Sequence, residues 1–427
     1  MPREKNDKKV KEKGVKKNNR KNNVDDDDDN DDNGSDDSNN EKGTVFTISN
    51  SSDANDMLIS VNISEAVEML LEKRLSQREQ ALTNLLKLFS CGQSLVNYQE
   101  TILVQLSRII RRPSSFTEAD LAMKLLTLFS LWLGPDEDDF FNTYDSLLQK
   151  LVNNNDIDEN IRVVALSALS FCSFINSVEA RESTIILCEE IMCSGNNDGN
   201  DLLCFTAIKS WILLASIMPL ENIIDSSKDR IFDAINLLLD ADDIDVKIAA
   251  GTLLAFMYEL VEENELCPEG TDMHTVGLQI CEDPNMVSQT LALLQRVSKE
   301  NSKRFSKKDR KEQRLAFRDI EAFICDGEKP EDTIRMQGCV LEVNTFARIC
   351  LLEQLRFYLG DGFPSSPKNF PIVKEILEIK NLNDFNDGDG NSTQIRKGSR
   401  LDKTRSSNRN QDRHYKDSQN NFYEEDG

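Results

Sequence analysis

One alanine recurs at a nearly constant interval, and that recurrence leaves very few folds open to the chain. It stands in five successive helical stretches, at Ala81, Ala122, Ala165, Ala207 and Ala250, with spacings of 41, 43, 42 and 43 residues. The two best-matched stretches are ENIRVVALSALSF (Glu159 to Phe171) and DVKIAAGTLLAF (Asp245 to Phe256). Between them Ile161-Arg162 corresponds to Val246-Lys247, Leu169 to Leu254 and Phe171 to Phe256. LCFTAIKSWILL lies midway, and TEADLAMKLLTLF and SQREQALTNLLKLF precede them. A period of about 40–47 residues, each unit holding two or three helices, is the signature of HEAT or armadillo repeats. A small residue where paired helices meet lets the backbones approach, and the following Leu and Phe supply the shared core. The expected fold is therefore all-α: a HEAT/armadillo-like helical-repeat solenoid with disordered, charged N- and C-terminal tails.

The chain divides by composition. Residues 1–58 read as a disordered tail, basic and then acidic. Its basic run is Lys8, Lys9, Lys11, Lys13, Lys16, Lys17, Arg20 and Lys21; aspartates dominate from Asp25 to Asp37. So little apolar surface cannot offset chain entropy. The basic run fits a nuclear-import signal or an RNA contact. Residues 59–325 read as the repeat body, starting at a Ser64 N-cap and ending in a basic helix. Residues 330–380 read as a small helical C-terminal domain. In it Leu341 to Leu359 has the spacing of one amphipathic helix, stopped at Gly360-Asp361-Gly362. Residues 381–427 are Asn, Asp, Ser, Lys and Arg with almost no aliphatics, and read as a second disordered tail.

The net charge of -24 argues against a protein that coats nucleic acid along its whole surface. Among ten cysteines, Cys172, Cys188, Cys204, Cys325 and Cys350 sit in apolar helical runs. They read as buried free thiols in a reducing compartment. No metal ligand set is visible, and the two histidines, His274 and His414, fall in an expected loop and a tail. No GxGxxG, phosphate-binding loop, HExxH or nucleophile elbow is present. The sequence thus names no catalytic or metal residue and no cofactor. The N-terminus lacks a secretory apolar region. The longest apolar stretch, Trp211 to Leu220, is about half the ~20 residues a membrane span needs. The expected location is the nucleus, the cytoplasm or both, with no secretion and no membrane partner.

One ordered stretch runs against the overall charge. From Lys299 to Arg318 it reads KENSKRFSKKDRKEQRLAFR. Lys303, Arg304, Lys307, Lys308, Arg310, Lys311, Arg314 and Arg318 form the candidate partner- or RNA-binding segment. Within it, Ser306-Lys307-Lys308-Asp309-Arg310-Lys311, then Gln313-Arg314 and Phe317-Arg318, resembles an element of the interferon-related developmental regulator family. Leu341 to Ile379 resembles that family's short C-terminal domain, and Glu72 to Phe89 matches the style of its N-terminal body. The resemblance covers roughly Ser64 to Ile379. It implies a non-enzymatic regulator of gene expression. Members are described as transcriptional co-regulators that bridge proteins, and some as ribosome-binding factors that inhibit translation. The implied partners are proteins of the transcription machinery or the ribosome, with RNA contact and no small-molecule substrate. The aspartate-rich and basic tails depart from the family pattern. Two readings follow. A protein scaffold would use the concave face of the solenoid. A ribosome- or RNA-binding repressor of translation would use the basic segment.

Overall fold

The computed structural model describes residues 62–379, apart from 136–137, 195–199, 265, 269, 300–305 and 337–338. Both charged tails, with the run from Lys8 to Lys21, lie outside the described residues, as do Lys303 and Arg304.

The repeat units are helix pairs: α1 (Ile63–Leu70) with α2 (Leu75–Ser90), α3 (Gln99–Arg111) with α4 (Phe116–Leu133), and α5 (Asp138–Val152) with α6 (Glu159–Ile175). Then come α7 (Val178–Ser194) with α8 (Asp201–Ala215), and α9 (Leu220–Leu239) with α10 (Ile244–Glu263). A short α11 (Met273–Ile280) intervenes, and α12 (Pro284–Ser298) pairs with α13 (Lys307–Asp326). Second helices pack on second helices, α2 on α4 and so on through α6, α8, α10 and α13. They form an inner row with the first helices outside. This is a helical-repeat solenoid.

Ala81, Ala122, Ala165, Ala207 and Ala250 all lie in the inner row, one per helix, and all are 0 % exposed. The periodic residue is therefore enclosed where the inner helices pack on one another, in keeping with its small size. Where α11 breaks the period, a glycine takes over: a Cβ on Gly251 would stand 2.9 Å from the Phe317 ring of α13. The two helices pack through the space that the missing side chain leaves.

Helix starts are set by short polar side chains that satisfy otherwise unpaired N–H groups. The first cap is Asn62, whose Oδ1 accepts from Ser64 N at 3.0 Å. Ser64 itself lies within α1, because Asn62 supplies the same capping chemistry two residues earlier. Asp243 Oδ1 accepts from Asp245 N and Val246 N at 2.9 and 3.0 Å. Ser115 caps α4, and Glu118 accepts from Ser114 N and from Arg78 Nε of α2 at 2.6 Å. That ion pair ties the first two inner helices together.

Residues 332–379 share the core of the repeat body. Their first part is a hairpin of β1 (Asp332–Met336) and β2 (Cys339–Val343), in antiparallel register with Ile334 opposite Leu341. Leu341–Leu359 is thus not one helix. Leu341 and Val343 face the core from a strand, and α14 begins at Phe346 behind a Thr345 cap. A 3₁₀ turn (Gly360–Ser365), α15 (Ser366–Asn369) and α16 (Pro371–Ile376) follow. His274 lies in the first turn of α11, not in a loop, with Nε2 3.0 Å from Ser288 Oγ.

Replacing Ala165 with Leu is expected to destabilise the body by about 1–3 kcal/mol, because overpacking must push α6 off its neighbours. Urea unfolding of the full chain measures this. An unchanged midpoint would mean that the inner row has room to spare.

Candidate functional site

The face of the inner row that a scaffold would offer to partners is occupied by the chain's own residues 346–379. This segment starts at α10 and runs back along the row to α2. At its start, Glu259 of α10 accepts from Phe346 N at 2.6 Å and Ala347 N at 3.3 Å, capping α14 from another element. Phe346 also packs on Phe323 of α13, ring centroids 5.2 Å apart. One turn on, Cys350 Sγ donates to the Lys209 carbonyl of α8, and Lys209 Nζ meets Glu353 Oε2 at 2.7 Å. Tyr358 Oη lies 2.6 Å from Ser167 Oγ of α6, and its ring 5.1 Å from Phe171. Lys124 Nζ of α4 stands 4.3 Å over the Phe357 ring. At the far end, Phe370 packs on Phe89 of α2 at 5.7 Å. A Cβ on Gly362 would strike the Ser90 carbonyl group, whose carbon would be 2.6 Å away.

Magnitudes decide what this segment is. Phe346, Leu352, Leu355, Tyr358, Leu359, Phe363, Phe370 and Val373 are each no more than 6 % exposed. Such side chains contribute about 1.5–3 kcal/mol apiece on burial. Eight of them make a third layer of core, not a loosely held strap. An incoming peptide would have to displace all of it.

Burial also governs the ionisable groups here. It pushes the Glu259 carboxyl up to about 7, against the two N–H donors that favour its charge; Glu263 adds to the rise and Lys329 opposes it. Burial works against the Lys209 charge, but Glu353, by charge and hydrogen bond, together with Cys350 holds the ammonium above its usual range. Burial pushes the Cys350 thiol up to about 12, so it stays protonated and unreactive. Cys172, Cys188 and Cys204 are buried as the sequence suggests, whereas Cys325 is exposed. It sits in the last turn of α13, off the stripe of Phe317, Ile320 and Ile324 that faces the core.

The basic segment forms the second surface. α13 buries Gln313, Phe317 and Ile320 and turns Lys308, Lys311, Arg314 and Arg318 outward, with Arg310 half-buried. The Lys307 backbone opens the helix; its side chain lies outside the description. Arg318 pairs with Asp319 at 3.1 Å. Among the described residues, Lys308, Lys311 and Arg314 have no carboxylate within ion-pair distance. The structure therefore brings six of the eight predicted cations onto one helix, with the side chains of five of them described. Sequence reasoning missed Glu259, Lys209 and Tyr358. The available signal was α14 itself, apolar nearly all round, with only Glu353 and Phe357 exposed among its residues.

Among the described residues no cluster of three or more His, Cys, Asp or Glu could hold a metal ion. No described helix is long and apolar enough to cross a membrane.

A family model described as interferon-related developmental regulator matches residues 28–325. The human interferon-related developmental regulator 1 is 21 % identical over 330 residues, covering 73 % of this chain and 70 % of that protein. The mouse interferon-related developmental regulator 2 is 24 % identical over 331 residues, covering 73 % and 71 %. Among solved structures, a designed armadillo repeat protein aligns at TM-score 0.36 and 14 % identity, over 60 % of this chain and 99 % of its own. Importin beta aligns at 0.38 and 13 %, over 76 % and 38 %.

Because its pKa is raised above the unfolded value of about 4.3, Glu259 favours folding most when protonated. Its contribution is expected to fall as pH rises from about 4.5 and to level off above about 7. Against Glu259→Gln, which lacks this titration, the wild-type chain should lose up to about 3 kcal/mol across that window. Urea unfolding of both proteins from pH 5 to 8 measures the difference; parallel curves would refute it.

Proposed function

Because the chain belongs to the interferon-related developmental regulator family, we propose that it is a non-enzymatic regulator of gene expression, a protein-interaction scaffold of the transcriptional co-regulator type, with α13 as its docking face. The observation that carries this reading is the set of cations Lys308, Lys311 and Arg314, which have no carboxylate partner among the described residues, on the last helix of the repeat stack. The inner face supports no such role, since α14 to α16 fill it. Cations held apart from counter-charges in a chain of net charge -24 favour an acidic partner. The work is done in the nucleus, the cytoplasm or both.

A second reading, repression of translation through ribosome or RNA binding, is favoured by one feature. Arg310, Arg314 and Arg318 follow one another at helical spacing, about 6 Å of rise per step. Such a row suits consecutive phosphates.

Changing Lys307, Lys308, Arg310 and Lys311 to Glu in the full chain tests both. The scaffold reading expects protein partners that resist ribonuclease and are lost from the variant in affinity purification. Ribonuclease-sensitive sedimentation with ribosomal particles, lost in the variant, would transfer the conclusion to the second reading. There the slope of log affinity against log salt should fall by about 3. If neither association changes, α13 is not the docking face.

A further inference from the structure

Leu315 gives the outward face of α13 a centre. It is 43 % exposed, a large apolar side chain on a surface otherwise made of charges. Lys311 and Arg318 lie one turn before and after it on one flank, and Glu312 and Asp319 on the other. Lys308 stands two turns back on the same face, and Arg314 extends the cationic flank. The end of a repeat stack needs a polar outer face for solubility, but an exposed leucine works against that need. A phosphate backbone cannot use it either, and would also meet two carboxylates.

We propose that this face of α13 docks an acidic amphipathic segment of another protein, with an apolar side chain seated on Leu315 and carboxylates against Lys308, Lys311, Arg314 and Arg318. This deepens the docking reading above and rests on it. The arrangement gives the partner a direction: its acids must lie on the cationic flank, away from Glu312 and Asp319. The apolar contact supplies what exposed ion pairs alone do not, since each such pair contributes little.

The test uses the purified full chain and three labelled probes: a peptide with Glu and Leu at helical spacing, the same peptide with Gln for Leu, and a single-stranded RNA. Fluorescence anisotropy is read for wild type, Leu315→Gln and Lys308→Glu/Lys311→Glu. All three positions are exposed, and matching thermal unfolding confirms that the variants are folded. The Glu/Leu peptide is expected to bind wild type and to weaken about five- to tenfold in Leu315→Gln. The Gln peptide and the RNA should not respond to that change, and the charge reversal should abolish peptide binding. An unchanged Glu/Leu peptide affinity in Leu315→Gln overturns the proposal, as does RNA binding by wild type without peptide binding. If the charge reversal matters and Leu315→Gln does not, the docking reading stands and only this choice of partner fails. If cellular partners survive the charge reversal, the docking reading itself fails.

Discussion

Two helices can close to the short end of the roughly 8–10 Å range only where no branched side chain stands between their axes. The inner row meets that condition with one fully buried alanine in each of α2, α4, α6, α8 and α10. Each of α4, α6, α8 and α10 must touch its pair and an inner neighbour on either side, and α2 its pair and α4, so the small residue cannot be traded for volume elsewhere. The outer helices, the caps and the connectors then have their places set. At the α10–α13 contact Gly251 supplies the same clearance for Phe317. The condition outlives the repeat period that first reveals it.

The chain also completes itself. Residues 346–379 meet inner helices from α10 back to α2, and most of their polar contacts serve a buried group that would otherwise lack a partner. Glu259 stabilises the start of α14, Ser167 takes the Tyr358 hydroxyl, and Glu353 compensates Lys209. Buried polar groups cost heavily when unpaired. These pairings fix the register of the segment as well as its affinity. The body is then three layers thick, and surfaces available to partners are those left outside, α13 among them.

Much of this was legible in the residues. The alanine period placed the inner row, and the Leu and Phe spacings placed the helices. The basic cluster on α13 was visible as charge against an acidic background. What was not legible has physical reasons. Cys339, Leu341 and Val343 alternate with period two for too few residues to stand out from the helical spacing that follows. The burial of α14 on nearly all sides depends on helices far back in the chain, with Glu259 87 residues before Phe346 and Ser167 191 before Tyr358. Glu259 looks like any surface carboxylate until α14 arrives over it. The exposure of Cys325 and Leu315 depends on how far round α13 its neighbours reach, which no local pattern reports. The charge pattern marks the segment in the sequence, but the leucine at its centre needed the fold.

The order of synthesis gives the third layer another meaning. A ribosome makes α2 to α10 before it makes α14 to α16, and the interval from Glu263 to Ile376 takes on the order of ten seconds. For that time Phe89, Phe171 and their apolar neighbours have no cover, and Glu259 and Lys209 have no partners from α14. A chain cut short before Phe346 stays in that condition permanently, with α1 to α13 formed and an oily strip along the inner row. Chaperones and proteases recognise such surfaces. The C-terminal segment thereby reports on the completeness of the polypeptide, because only a finished chain can hide its own inner face.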